Sequence, residues 1–167
     1  KIIPAHAATS SGKGLAFKRF FTKPGVSPLD EIKYVKRSSV ITNPDGSVVF
    51  KMENVEVPES WSQLATDIIV SKYFRKAGVP DTGSEISARQ VVTRIVRSIR
   101  VAGEKLGGYF KTGEDARIFE EELLHLLIHQ KCAFNSPVWF NCGMELYGIK
   151  GSGGNFYWDP ATDSIRQ

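Results

Sequence analysis

Residues 88–106 constrain the fold most strongly, because apolar residues recur along them at helical spacing. Ser87 and Gln90 stand three residues apart, the spacing of a capping box, and Gly107 marks the other end. The apolar stripe consists of Val92, Ile95, Val96, Ile99, Ala102 and Leu106. The opposite side carries Arg89, Arg94, Arg97 and Arg100. An amphipathic surface helix is the favoured interpretation, and an anion-binding row of arginines is the alternative.

An earlier segment has the same periodicity. Ser60 and Gln63 again have capping-box spacing, and Gly78 and Pro80 are typical of the end of a helix. The apolar residues of this segment are Trp61, Leu64, Ala65, Ile68 and Ile69. The pattern therefore predicts a helix that opens at Ser60 and stops at Gly78 and Pro80.

A third helix is predicted to start near Thr112. Glu114 and Asp115 lie in its first turn, where acidic side chains interact favourably with the helix dipole. Its apolar positions are Phe119, Leu123, Leu126 and Leu127. The pattern extends to about Cys132.

Residues 38–42 and 47–50 read as two strands of a β-hairpin. They flank Asn43-Pro44-Asp45-Gly46, in which a proline with fixed φ and a permissive glycine suit successive turn positions. Partial alternation of apolar residues continues the second strand until Pro58.

These elements predict a mainly α fold of the α+β class, with three principal helices and one β-hairpin. A chain of 167 residues with 41% hydrophobic and 24% charged residues has the composition of a folded domain with one core. We divide it into a basic extended arm (residues 1–36), a hairpin and helical domain (37–132) and a loop-rich segment (133–167).

The charge of the chain is uneven. Residues 1–37 carry a formal charge of +6 and the remaining residues carry −2. A basic arm of this kind can meet phosphate, nucleic acid or an acidic protein surface. Because no nucleic-acid motif accompanies the charge, we favour an arm that is solvated or docks on its own chain.

Several protein classes are excluded. No apolar run approaches the roughly 20 residues that cross a bilayer. The start, Lys1-Ile2-Ile3-Pro4, has neither an initiator Met nor a secretory pattern, so we interpret it as a cut edge and expect a fragment. Two cysteines, Cys132 and Cys142, are too few for a disulfide-stapled secreted domain. We expect both to be structural thiols in the reducing cytoplasm.

The third predicted helix also carries residues that could bind a metal. Glu122 and His125 have Glu-x-x-His spacing, and His125 with His129 forms an i, i+4 pair. A di-metal bundle needs a second such motif and zinc needs a third ligand, and the sequence identifies neither. We therefore favour an ordinary helix surface and assign no metal.

Residues 134–143 are the most informative stretch for function. Asn135, Ser136 and Asn141 place two amides and a hydroxyl beside Pro137 and Trp139, directly after the third predicted helix. A rigid turn with polar groups aimed at a ligand fits this pattern, and a buried aromatic corner fits it equally well.

The sequence Phe134-Asn135-Ser136-Pro137-Val138-Trp139-Phe140-Asn141-Cys142-Gly143 resembles the amino-terminal region of the adenosylcobalamin-dependent, class II ribonucleotide reductases. Residues 57–66, 71–75 and 155–160 share the resemblance, which extends from about Arg37 to the carboxyl end. Residues 1–36 match less clearly.

The resemblance implies a parent enzyme that reduces ribonucleotides; we assign it as a ribonucleoside-diphosphate reductase and leave the triphosphate open as the alternative substrate. In that family the chain continues into a ten-stranded α/β barrel, where adenosylcobalamin initiates a thiyl radical that takes hydrogen from the ribose 3′ carbon. A further cysteine pair reduces the 2′ position, and a thioredoxin-type protein is the expected reductant. The resemblance places these cysteines beyond Gln167, so residues 1–167 alone are expected to be inactive.

The resemblance also assigns a substrate-side loop to this chain. Ser136, with Asn135, Pro137 and Asn141, is expected to bind the phosphate or ribose of the ribonucleotide. The family position of Cys142 is more often aliphatic, which argues against a redox role there. No catalytic residue or cobalamin ligand is identified, and neither a membrane nor nucleic acid is an expected partner.

Two other functions remain open at this stage. The chain could be a non-catalytic binding or assembly module that docks through its basic arm. It could also be a helical metal protein that uses Glu122, His125 and His129.

Overall fold

The computed structural model of the protein describes residues 13–149 and 157–166. Within these ranges the elements are, in chain order, β1 Tyr34–Thr42, β2 Val48–Pro58, α1 Gln63–Ile68, a π-helical turn Ile69–Tyr73, α2 Ala88–Leu106, α3 Gly113–Ile128, α4 Ser136–Asn141, a 3-10 turn Met144–Tyr147, β3 Tyr157–Asp159 and β4 Ser164–Arg166. The predicted α+β class with a small antiparallel hairpin is confirmed. The first twelve residues of the predicted arm and part of the matching segment 155–160 lie outside the described residues.

The predicted hairpin is present as β1 and β2. The strands are antiparallel, with Tyr34 opposite Pro58 at one end and Ile41 opposite Phe50 near the other. The Asn43 N–H donates to the Ser47 carbonyl over 2.8 Å, and Gly46 has a φ of +85°, which explains why glycine stands there. Because β1 begins at residue 34, the strand starts three residues inside the arm we had assigned to 1–36, and the domain division stays a prediction.

The first helix differs from its prediction at both ends. Its cap is Ser62, whose side chain accepts the Ala65 N–H over 3.0 Å, and not Ser60. The chain makes a turn just before the helix, closed by the Trp61 N–H on the Pro58 carbonyl over 3.1 Å. The helix passes into the π-helical turn and stops at Phe74, whose backbone is extended while its side chain is buried. Burial of Phe74 therefore ends the helix before Gly78.

The limits of the central helix α2 are as predicted, whereas Ala102 and Leu106 of its predicted apolar stripe are exposed. Ser87 and Gln90 form a complete capping box, and Gly107 with a φ of +71° follows the last turn. The face that includes Val91, Val92, Ile95 and Val96 is fully buried.

Helix α3 begins as predicted and ends early. The Thr112 hydroxyl caps it by accepting the Asp115 N–H over 3.1 Å. The helix ends at Ile128, before the predicted limit at Cys132, because Gln130 adopts a left-handed φ of 56°. After it, the segment predicted to be loop-rich contains α4, the 3-10 turn and the short β3–β4 hairpin.

The core surrounds α2. Helix α3 packs along it, the end of β2 adds Val55 and Val57, and Trp61 closes one side by donating its indole N–H to the Ile128 carbonyl over 2.8 Å. Trp139 of α4 belongs to the same core. Among the described residues, no helix is long and apolar enough to cross a bilayer.

Candidate functional site

Residues 134–143, the most informative stretch of the sequence for function, contain the short helix α4. Asn135 precedes the helix with extended backbone, and Pro137 lies in its first turn, where a proline needs no amide partner. Trp139 is buried and donates its indole N–H to the Phe134 carbonyl over 2.8 Å. The predicted aromatic corner is therefore present, and the polar residues of this stretch lie on its outer side.

Ser136 and Asn141 lie where a ligand can reach them. The half-buried Ser136 hydroxyl is 3.1 Å from the phenol oxygen of Tyr73, on the π-helical turn. Asn141 is exposed at the other end of α4, and Asn135 and Pro137 are also exposed. The structure thus places three of the four predicted substrate-binding residues in one short helix, with Asn135 at its N-cap.

A surface pocket of about 420 Å³ separates α4 from the segment that follows α1. It is lined by Lys72, Tyr73, Phe74, Arg75, Lys76, Ala77, Phe140, Asn141 and Met144. Of the predicted site residues, Asn141 lines the pocket directly and Ser136 contacts its wall through Tyr73. Asn135 and Pro137 do not line it.

The pocket is positively charged, since its lining includes three cations and no carboxylate. The Lys76 ammonium lies 4.6 Å from the centre of the Phe50 ring and donates to the Val70 carbonyl. Although the residue as a whole is exposed, desolvation of this ammonium lowers the pKa of Lys76 to about 8, against an opposing effect of Glu85.

A buried ion pair lies behind the pocket. The Arg94 Nε donates to Glu85 Oε1 over 2.7 Å, and both side chains are completely buried. Arg94 also donates to the carbonyls of Trp139 and Cys142 in α4 and its C-cap. The predicted row of exposed arginines is therefore wrong for Arg94, because this residue lies on the buried side of α2.

Sequence reasoning missed Glu85. Its carboxylate accepts from Arg94, from the backbone N–H of Arg75 over 2.7 Å and from the Tyr147 hydroxyl over 2.8 Å. A signal for the pair was present, because Arg94 falls three residues after the buried Val91 and thus on the same helix face. An arginine at such a position needs a buried acid, and the sequence does not show which one.

The described part of the basic arm docks on its own chain. The backbone N–H groups of Phe20, Phe21 and Thr22, and the Thr22 hydroxyl at 2.6 Å, all donate to the Glu122 carboxylate. Arg19 pairs with Glu114 and Glu121 of the same helix. These contacts agree with the favoured docking arm and leave fewer of its charges free for a partner.

These contacts also account for the residues that suggested a metal site. Glu122 is bound by the arm, and the His125 ring stacks on Phe21 with centroids 4.8 Å apart. Over the described ranges, no group of three or more His, Cys, Asp or Glu side chains is placed to hold a metal ion. Cys132 and Cys142 are both free thiols.

Comparison with known proteins identifies the family. Residues 35–130 match the family described as class II vitamin B12-dependent ribonucleotide reductase. A vitamin B12-dependent ribonucleotide reductase from Agrobacterium fabrum is 42% identical over 90% of this chain, and one from Streptomyces coelicolor is 50% identical over 81%. A third, from Rhodopirellula baltica, is 39% identical over 92%.

The matches cover a small part of each relative. This chain spans 14% of the Agrobacterium and Streptomyces proteins and 15% of the Rhodopirellula protein. The family profile nevertheless covers more than half of this chain, and it matches the amino-terminal region of the family. The chain therefore belongs to the class II vitamin B12-dependent ribonucleotide reductases, as part of their amino-terminal region.

Proposed function

We propose that this chain forms the amino-terminal part of an enzyme that reduces ribonucleotides to deoxyribonucleotides by a cobalamin-initiated thiyl radical mechanism. Its own contribution is a scaffold and a substrate-side loop at α4. The observation that carries the proposal is the position of Ser136 and Asn141, from the stretch that resembles the family, beside a cationic pocket. The expected substrate is a ribonucleoside diphosphate.

The described residues do not fit the cobalamin itself. A corrin with its side chains is larger than the drug-sized ligands that occupy pockets of about 300–1,000 Å³. The pocket beside α4 measures about 420 Å³ and is lined by three cations. We therefore assign cofactor binding and radical formation to the rest of the parent enzyme.

Helix α4 can orient a ribonucleotide without taking part in the radical chemistry. A serine hydroxyl can donate to a phosphate or ribose oxygen and accept from a ribose hydroxyl. Trp139 and the Arg94 contacts hold the backbone of α4 in place, so the hydroxyl is positioned before the substrate arrives. Such positioning accelerates a reaction whose reacting atoms must meet at one ribose carbon.

The overall reaction needs a reductant that this chain does not supply. One ribonucleotide and one dithiol give one deoxyribonucleotide, one disulfide and one water, so two electrons pass from sulfur to the ribose. We assign the dithiol to cysteines of the downstream barrel, with a thioredoxin-type protein to reduce them again. These partners are consistent with a cytoplasmic enzyme.

The direct experiment incubates the full-length parent with a ribonucleoside diphosphate, adenosylcobalamin and a dithiol. We expect deoxyribonucleotide from the complete mixture and none when adenosylcobalamin is omitted. A parallel reaction with the triphosphate tests the substrate class, and residues 1–167 alone serve as the control without turnover. Equal product formation without adenosylcobalamin, or none in the complete mixture, would contradict the proposal.

A further inference from the structure

Lys76 combines an exposed side chain with a nitrogen that the fold holds in place. The residue follows the π-helical turn and lines the pocket beside α4. Its ammonium donates to the Val70 carbonyl and lies 4.6 Å from the ring centre of Phe50 and 5.8 Å from that of Phe74. A lysine nitrogen on a flexible stem samples many positions, whereas these three contacts restrict the nitrogen of Lys76.

Desolvation at this position favours the neutral amine over the ammonium. It lowers the pKa of Lys76 to about 8, against the opposing effect of the Glu85 carboxylate. Lys72 and Arg75 line the same pocket, and no carboxylate lines it. A lysine that is desolvated or lies near other cations is activated as a nucleophile. Lys76 meets both conditions.

The contact with Val70 leaves the nucleophile intact. The ammonium has three N–H donors and no lone pair, and loss of one proton creates the lone pair. A remaining N–H can still donate to the Val70 carbonyl, so the nitrogen stays in place in both forms. Near pH 7.5 a lysine with a pKa of about 8 is roughly one-quarter neutral, whereas an ordinary lysine is neutral in about one molecule in a thousand.

The neighbouring cations favour one class of electrophile. Lys72 makes no ion pair within the described ranges, and the terminal nitrogens of Arg75 have no partner among the residues described. Both side chains therefore attract anions to the pocket. An acyl phosphate joins a reactive carbonyl carbon to an anionic leaving group, and a small one fits a pocket of about 420 Å³. An uncharged ester gains nothing from these cations.

We propose that Lys76 is a modification site at which acyl phosphates acylate the side-chain amine. The amine lone pair attacks the acyl carbon, a C–N bond forms, and the C–O bond to the phosphate breaks. Phosphate leaves with the electron pair of that bond, and the proton of the amine passes to phosphate or to water. The products are an amide and inorganic phosphate, and no atom is oxidised or reduced.

The modification changes the charge of the pocket. An amide is neutral, so acylation removes one of the three cations of the lining and ends the cation–π contact with Phe50. The inference goes beyond the proposed function, since neither the reaction nor its test involves Ser136.

The test treats the full-length parent with acetyl phosphate and follows acetylation of each lysine by peptide mass spectrometry. Lys105 is the internal reference, because it is exposed in the last turn of α2 and has no described partner. Near pH 7.5 we expect Lys76 to react about tenfold faster than Lys105. The larger neutral fraction of Lys76 outweighs the lower intrinsic nucleophilicity of a less basic amine.

The controls separate the fold from the local sequence and the charge of the reagent from the reactivity of the amine. In protein unfolded in urea, Lys76 and Lys105 should react at equal rates. Lys76→Arg should lose the acetylated peptide, which verifies the assignment of the site. The double variant Lys72→Gln, Arg75→Gln should react several-fold more slowly with acetyl phosphate and equally fast with the uncharged N-hydroxysuccinimide ester of acetic acid.

Equal rates at Lys76 and Lys105 in the folded protein would overturn the proposal. A preference for Lys76 that persists in urea would also overturn it, because the fold would then not activate the amine. If the double variant keeps the wild-type rate with acetyl phosphate, or slows with both reagents alike, acyl phosphates are not the class of electrophile that this site selects.

Discussion

Arg94 and Glu85 form an ion pair with both side chains fully buried, and this pair joins the two walls of the pocket. Glu85 accepts the backbone N–H of Arg75 on one wall, and Arg94 donates to the Trp139 and Cys142 carbonyls on the other. Neither residue lines the pocket itself. The pair therefore sets the separation of the walls from behind.

Replacing Arg94 alone should destabilise the chain severely. Arg94→Met leaves the Glu85 carboxylate buried without its cation, and breaking such a pair costs about 3–5 kcal/mol. The double variant Glu85→Leu, Arg94→Met should lose less than the sum of the single variants, because no unpaired charge remains. Urea unfolding followed by tryptophan fluorescence measures both.

Arg117→Ala provides the comparison for this ion pair. Arg117 and Glu114 are 2.9 Å apart with both side chains at least half exposed, so removing this pair should cost less than about 1 kcal/mol. A loss of similar size for Arg94→Met would show that the buried pair does not hold the fold together.

Gly143 should not tolerate a side chain. It has a φ of +80°, and an added Cβ would lie 2.4 Å from the Arg94 carbonyl oxygen. We expect Gly143→Ala to cost about 2–5 kcal/mol, from overpacking and left-handed backbone together. Gly113→Ala is the control, because an added Cβ there meets nothing within 4 Å and alanine favours the first turn of α3. A melting temperature that is lower for Gly113→Ala than for Gly143→Ala would contradict the packing at α4.

The comparison of α2 with α1 shows what the sequence could predict. Capping and periodicity act within one turn, so Ser87, Gln90 and Gly107 predicted the limits of α2 correctly. The end of α1 depends on where Phe74 packs, which is a tertiary contact and leaves no local signal. Thr112 was predictable for the same reason as Ser87.

The candidate site was predictable only in part. The motif around Ser136 indicated a loop that lies beside the pocket, and its substrate role stays a prediction. The pocket itself needs the chain after α1 to face α4, a contact between residues more than 60 positions apart. Glu85 was unpredictable, because nothing near it in the sequence marks it as the partner of Arg94. The short helix α4 was not predicted from the sequence, because its proline indicated a loop. In the structure this proline lies in the first turn of the helix.

The docking of the arm should weaken as the pH falls. Burial, together with the nearby His129 and Lys131, lowers the pKa of His125 below its usual 6.5. Burial acts to raise the pKa of Glu122, but hydrogen bonds from Thr22, Phe20 and Phe21 outweigh it and hold the pKa below 4.5. Both shifts favour the folded arm at neutral pH.

The stability of the docked arm depends on pH with the same sign for His125 and for Glu122. A depressed pKa contributes stability that is present above the unfolded value and is lost as the pH falls through the folded value. The arm should therefore loosen first below about pH 6.5, as His125 gains charge, and again below about pH 4.5, as Glu122 is protonated. Amide hydrogen exchange at Phe20–Thr22 measures both steps, and exchange that does not change with pH beyond its chemical rate would contradict the mechanism.

Glu122→Gln should loosen the arm at neutral pH. Loss of the charged acceptor weakens hydrogen bonds worth about 1.5 kcal/mol or more, so exchange at Phe20–Thr22 should accelerate about tenfold. Glu53→Gln is the control, because Glu53 is exposed on β2 and pairs only with Lys51 among the described residues. Equal exchange in both variants would mean that Glu122 does not hold the arm.

The central claim is that α4 is a substrate-side element built on a buried tryptophan, and Ser136 and Trp139 separate these two roles. Trp139→Ala should destabilise the fold by about 3–5 kcal/mol, because its ring is buried in the core. Tyr73→Phe removes the hydrogen bond to Ser136 but keeps the serine hydroxyl, so it reports the cost of that bond alone.

The most direct measurement is kcat/KM for the ribonucleotide, with the melting temperature, of the full-length Ser136→Ala parent. We predict a loss of about ten- to a hundredfold in kcat/KM, as for a hydrogen bond to a charged acceptor, with a melting temperature close to that of Tyr73→Phe. An unchanged kcat/KM together with a markedly lowered melting temperature would show that α4 is only an aromatic corner of the scaffold.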